Sequence, residues 1–197
     1  MKVKDNRNME YEARVMIDEQ KYLEITQSFL NKCPNHKEMV NINHYFDNES
    51  RYLTEHHMVL RLRNISEKEN ELTLKIKGEN GDLEINYPLT LNQVDKILVN
   101  LEFPKCEIID ELTKRGIDIS ILKLITTLKT ERLEFYYPEY TFVVDKNYYN
   151  NKVDFNLEVE SDCKTAAISY LKSIISEFGV QYKKDYISKS RRAIYNL

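Results

Sequence analysis

Glycine and proline are scarce in this chain, four of each in 197 residues, which leaves little material for long flexible linkers and points to closely spaced regular elements. No apolar run approaches the roughly 18 residues that a membrane-crossing helix needs. A charged-then-apolar leader is also missing, so the expected location is the cytoplasm. Cys33, Cys106 and Cys163 are odd in number and far apart, without metal-ligand or redox spacing, which fits reduced and mostly buried thiols. There is no glycine-rich phosphate loop, so any phosphate binding falls to side chains. The formal net charge is only −3, which gives no global reason to expect duplex nucleic acid or an anionic membrane as a partner. With 42% hydrophobic residues and no internal repeat, residues 1–197 read as a single well-packed domain.

What the chain has instead is charge at every second position. Glu10-Tyr11-Glu12-Ala13-Arg14 and Leu157-Glu158-Val159-Glu160 place carboxylates two apart, and alternate residues of a β-strand share a face. Val59-Leu60-Arg61-Leu62-Arg63 and Leu72-Thr73-Leu74-Lys75-Ile76-Lys77 repeat the period with basic side chains. The solvated face of an antiparallel sheet accounts for any one such row. These rows, however, are sorted by strand into Glu/Glu, Arg/Arg and Lys/Lys, and like charges on one face repel. Sorted rows of both signs point to a site for metal ions and a polyanion between them.

Eight strands follow from this period, near Glu10–Ile17, Val40–Asp47, Val59–Asn64, Glu71–Gly78, Asp82–Leu89, Ile125–Tyr136, Tyr140–Tyr148 and Val153–Ser161. Amphipathic spacing predicts a helix over Glu19–Lys32 that Pro34 stops, and a pair over Asn92–Leu101 and Cys106–Arg115 that Gly116 closes. The clearest helix runs over Lys164–Phe178, ahead of Gly179. Short polar links at Ser66–Asn70 and Gly78–Gly81 make the third to fifth strands an antiparallel meander. The expected fold class is α+β: an eight-stranded antiparallel β-barrel with a charged interior and helices packed outside. Such an interior is tolerable only where metal ions, a bound anion and water neutralise it.

Taken in order, the run Glu10, Glu12, Arg14, then Asn43-His44-Tyr45-Phe46-Asp47, Leu60-Arg61-Leu62-Arg63, Thr73-Leu74-Lys75-Ile76-Lys77, Thr130-Glu131-Arg132, Val144-Asp145-Lys146-Asn147 and Leu157-Glu158-Val159-Glu160 resemble the CYTH domain. This is the triphosphate tunnel metalloenzyme superfamily, and the likeness is closest to its branch in low-GC Gram-positive bacteria. The first motif alone is common in charged strands; seven matches in order over nearly the whole chain are specific. The resemblance implies a triphosphate bound in a barrel with Mg²⁺ or Mn²⁺. It covers inorganic, thiamine and RNA 5′-triphosphatases and class IV adenylyl cyclases. The chain departs from the pattern at Arg14, where the family usually has Lys, so a fixed fork replaces a compact ammonium.

From the resemblance, Glu10, Glu12, Asp145, Glu158 and Glu160 are candidate metal ligands, since hard cations take oxygen donors. Glu158 or Glu160 is the expected positioner of the attacking water, with spacing leaving the choice open. Arg14, Arg61, Arg63, Lys75, Lys77 and Arg132 are candidate substrate-binding cations. Near the C-terminus, Lys189, Arg191 and Arg192 read equally as a basic end of the phosphate site, with Lys189 foremost, and as a solvated helix. Tyr45 reads equally as a tunnel-lining hydroxyl and as a core tyrosine. His44 falls on the opposite parity, and His36, His56 and His57 lie in loops or helix ends, so no histidine metal site is expected. The implied function is metal-dependent hydrolysis of inorganic triphosphate or a small organic one such as thiamine triphosphate. A class IV-type adenylyl cyclase and a non-catalytic polyphosphate- or nucleotide-binding module are the alternatives.

Overall fold

Alternate residues of each strand point to opposite sides of one curled antiparallel sheet, and that division organises the molecule. The computed structural model describes residues 7–65, 69–79, 81–183 and 187–197. Among them the strands are β1 (Arg7–Glu10), β2 (Glu12–Ile17), β3 (His36–Asp47), β4 (Met58–Ile65), β5 (Glu69–Ile76), β6 (Asp82–Pro88), β7 (Lys123–Tyr136), β8 (Tyr140–Tyr149) and β9 (Lys152–Ser161). The helices are α1 (Glu19–Lys32), α2 (Tyr52–Glu55), α3 (Leu91–Asn100), α4 (Glu107–Lys114), α5 (Lys164–Ser176) and α6 (Lys189–Tyr195). No helix among the described residues is long and apolar enough to cross a membrane.

The sheet order is β1-β6-β5-β4-β3-β7-β8-β9-β2, so its two edges are consecutive pieces of chain separated by Tyr11 alone. Glu10 pairs with Asp82 of β6 while Glu12 pairs with Glu160 of β9. The N-terminal strand thus serves both edges and joins the ends of the open barrel. Nine strands replace the expected eight because that first strand begins earlier and divides at Tyr11. Gly81 makes the division possible: a Cβ there would lie 2.6 Å from the Tyr11 ring. β4, β5 and β6 form the expected meander. The links between them at residues 66–68 and at Asn80 lie outside the described residues.

Outward-facing apolar rows build two cores. On one side Leu60, Leu62, Leu72, Leu74 and Ile85 pack beneath Val94 and Ile97 of α3 and Ile108 and Leu112 of α4. On the other, Ala13, Val15, Phe142, Val144, Leu157 and Val159 pack beneath Ile25 and Phe29 of α1 and Ala167, Leu171 and Ile175 of α5. Burying each large side chain contributes about 1.5–3 kcal/mol, so these rows fix which face of every strand turns inward. The helix starts are capped: Asp18 accepts from Lys21 N at 2.8 Å, and Thr90 with Gln93 forms a capping box. The short α2 escaped the periodicity; the buried Asp47 carboxylate accepts from Leu53 N at 2.9 Å and Thr54 N at 3.0 Å to hold it. Of the thiols only Cys106 is buried; Cys33 is half-buried and Cys163 exposed, against the expectation of mostly buried cysteines.

Candidate active site

Inward-facing rows enclose a cavity of about 690 Å³. It gathers Glu10, Glu12, Arg14, Arg61, Arg63, Lys75, Lys77, Arg132, Glu158, Glu160 and Lys189 on one lining. Of the sequence-derived candidates, it leaves out Arg192 and the Asp145 carboxylate. That carboxylate is fully buried behind the wall, taking Arg132 Nε at 2.8 Å, Arg132 Nη2 at 3.0 Å and Asn156 Nδ2 at 3.2 Å, together with Lys189. Tyr45 lies on the cavity lining and packs with Leu128, Tyr149 and Ala193 in a small apolar cluster. His44 lies off this lining, bonded to Thr127 Oγ1 at 3.0 Å and Asn64 Oδ1 at 3.2 Å.

The floor is a neutralised ion cluster. Glu158, 1% exposed, accepts from Arg14 Nε, from Arg132 Nη2 at 2.9 Å and from Asn156 Nδ2 at 3.3 Å, with Lys189 Nζ at 3.1 Å. Burial pushes this carboxyl up, but the charges of Arg14, Lys189 and Arg132 outweigh it and hold Glu158 well below the usual range. It is therefore an ionised group with both oxygens occupied. α6 supplies Lys189, which burial lowers despite the pull of Asp145 and Glu158. Of its neighbours, Arg192 forks away onto Asp154 at 2.7 and 3.0 Å, while the more exposed Arg191 also lines the cavity and approaches Glu55 at 3.6 Å.

The side walls carry both signs. Around Lys75 stand Glu10, Asp82 at 3.5 Å, Glu12 at 3.8 Å and Glu84 at 3.9 Å. Burial lowers this ammonium, yet the surrounding carboxylates hold it well above its ordinary value. Glu160 adjoins this wall with 35% of its side chain exposed and Arg132 Nη1 at 3.7 Å. Burial, opposed by Arg132 and reinforced by Glu10, Glu158 and Glu12, pushes it up to about 7. The neighbouring β4 carries Arg61, with Glu84 at 3.9 Å and Glu71 at 4.0 Å, and Arg63, with Glu71 at 3.5 Å. Arg63 donates to Asn43 Oδ1 at 3.1 Å, and burial and the Arg61 charge push its guanidinium down to about 10. Arg61 Nε is buried without a hydrogen-bond partner. Lys77 stands exposed at the rim.

Asp82 and Glu84 repeat the two-residue period opposite Lys75, a signal present in the sequence but not taken up above. Asn41, Asn43, Thr73 and Thr130 line the same cavity without charge, so no charged row announces them. Among the described residues no three Asp, Glu, His or Cys side chains already converge into a metal cage. The donor chemistry nevertheless fits a hard divalent ion: carboxylates crowd Lys75, and Glu160 is destabilised as an anion by its acidic neighbours.

The curled antiparallel sheet with a two-signed charged interior defines a fold class, and the chain belongs to the CYTH domain family, whose model matches residues 8–190. It is similar to YjbK of Bacillus subtilis, provisionally described as a triphosphatase, with 34% identity over 119 residues. That match spans 60% of each chain. A crystal structure from Bacillus halodurans, provisionally described as an adenylate cyclase, superposes with a TM-score of 0.85 at 25% identity, covering 94% of this chain and 98% of that one. A Hippeastrum protein titled as having a dominant triphosphatase activity shares the fold, with a TM-score of 0.80, 17% identity and coverage of 95% and 96%.

Proposed function

We propose that this protein hydrolyses the terminal phosphoanhydride of inorganic triphosphate or a small organic triphosphate, with Mg²⁺ or Mn²⁺. The observation that carries the reading is one cavity lined by both arginines and carboxylates, with Glu84 within 3.9 Å of Arg61 and of Lys75. An extended triphosphate needs cations along its chain and, at neutral pH, divalent counterions as well. Arg61, Arg63 and Arg132 bind nonbridging oxygens, and the unpartnered Arg61 Nε is a donor ready for one. Glu160 would hold the metal with Glu10 and Glu12, which the ion would share with Lys75 on Glu10 and with Arg14, whose Nη2 lies 2.7 Å from Glu12 Oε1. When bound, the ion neutralises phosphate charge and favours ionisation of water.

We assign Asp145 and Glu158 a different task from metal ligation, because both carboxylates are fully buried and their oxygens accept from Arg132, Lys189 and Asn156. They hold Arg14, Arg132 and Lys189 in place beneath the phosphate chain. Glu160 faces the cavity with exposed surface and takes the proton of the attacking water. The water oxygen bonds to the terminal phosphorus, the bridging P–O bond breaks, and orthophosphate and the shortened chain leave.

The test is phosphate release by purified protein from tripolyphosphate, thiamine triphosphate and ATP, with Mg²⁺, with Mn²⁺ and with EDTA. Metal-dependent release of orthophosphate is the expected result. Cyclic AMP with pyrophosphate from ATP would favour the cyclase reading, which the Bacillus halodurans relative supports. Tight tripolyphosphate binding without turnover would leave a binding module.

A further inference from the structure

Among the described residues, one buried carboxamide on the cavity wall has an unpaired oxygen. Asn41 is 3% exposed, lines the cavity, and has its Oδ1 buried without a hydrogen bond. Its neighbours are satisfied. Asn43, two residues along β3, accepts from Arg63 Nε at 3.1 Å and donates to the Leu128 carbonyl at 3.4 Å. Thr130, opposite Asn41 on β7, donates to Asn147 Oδ1 at 2.9 Å. A buried carboxamide left unpaired is costly, and native structures keep few of them. Arg61 Nε, on the same lining, is the other buried unpaired side-chain atom of the cavity among the described residues.

We propose that Asn41 contacts substrate directly, its carboxamide donating a hydrogen bond to an oxygen of the phosphate chain and completing with Arg61, Arg63 and Arg132 a subsite for one phosphoryl group. The inference rests on the triphosphate reading of the cavity. An ionised phosphoryl oxygen is an acceptor and takes the carboxamide's N–H; with Oδ1 unbonded, no hydrogen bond at that atom fixes the amide against turning its N–H to the ligand. The arginines draw the anion to this wall. A neutral donor suits it better than a further cation would, because Arg63 is already pushed down by burial and by the charges of Arg61 and Arg132. Asn41 thus adds a bond without adding repulsion to the empty site.

The experiment is calorimetry of sodium tripolyphosphate binding in EDTA to wild type, Asn41→Ala and Asn41→Asp, paired with melting curves without ligand and with KM and kcat in Mg²⁺. Asn41→Ala should weaken binding about tenfold, the loss of one hydrogen bond to a charged group, and raise KM more than it lowers kcat. Asn41→Asp should weaken it further, since it keeps the acceptor, removes the donor and adds a negative charge. The melting temperature of Asn41→Ala should equal or exceed that of wild type, because an unpaired polar group has been removed. Wild-type affinity in both variants overturns the proposal. Affinity kept by Asp and lost by Ala overturns the donor role, and a loss of affinity matched by a loss of stability makes Asn41 structural. Wild type that neither binds tripolyphosphate in EDTA nor releases phosphate from it with Mg²⁺ overturns the triphosphate reading itself, and this inference with it.

Discussion

Glu158 and Glu160 stand two residues apart on one face of β9, yet their surroundings divide them: Glu158 is buried among cations, and Glu160 is crowded by carboxylates. Glu160→Gln should lower turnover by about a hundredfold, the lower range for loss of a general base, with the melting temperature kept or raised; phosphate-release kinetics and thermal melts check this. The pH dependence follows from the direction of the shift. With the folded Glu160 pushed up to about 7 from an ordinary 4.5, its protonated form favours the fold, a contribution whole below about 4.5 and lost as pH rises through about 7. The melting temperature of metal-free Glu160→Gln relative to wild type should therefore climb between about pH 5 and about pH 8. A difference that stays flat with pH would show that Glu160 is not destabilised by its neighbours. The alternation of charge made both glutamates legible as inward-facing residues of the cavity lining. Which one has free oxygens was not, because Arg14, Arg132 and Lys189 come from distant stretches of chain.

At the scale of elements, α1 forms over the residues its periodicity predicts, Glu19–Lys32, because an apolar stripe and the Asp18 cap agree. The break at Tyr11 is different. Charge alternates straight through Glu10, Glu12 and Arg14, and only the pairing of β1 with β6 and β2 with β9 divides the strand. Gly81→Ala, with its Cβ driven into the Tyr11 ring, should destabilise by about 1–3 kcal/mol in denaturant titration. α6 spans Lys189–Tyr195, too short for a clear periodic signal, and is held from outside by the Arg192–Asp154 fork and by Asn150 Nδ2 donating to the Ala193 carbonyl at 2.7 Å. Arg192→Ala should cost roughly 2 kcal/mol, less than a fully buried pair because Asp154 retains some exposure and the Tyr149 and Asn147 bonds. Its KM for triphosphate should stay near wild type, since Arg192 is off the cavity lining.

For the whole molecule, the carboxylate wall is least favourable when no cation lies within it. Mg²⁺ or Mn²⁺ should raise the melting temperature of the metal-free protein, and excess EDTA should reverse this and abolish phosphate release. Equal melting temperatures with and without metal, together with turnover in EDTA, would remove metal from the mechanism. The period-two pattern determined which side chains lie inside and which outside, because one apolar row per strand must be covered by helices and the other row must then face its counterparts. It also determined that the interior carries both signs of charge. Tertiary structure decided how those charges pair: Asp145 and Glu158 bind cations from three separate elements, while Glu160 and the carboxylates near Lys75 remain in excess. It alone exposed Asn41 as an unpaired neutral group, because an unmet hydrogen bond is a property of neighbours across strands, and no residue carries that information in its own position along the chain.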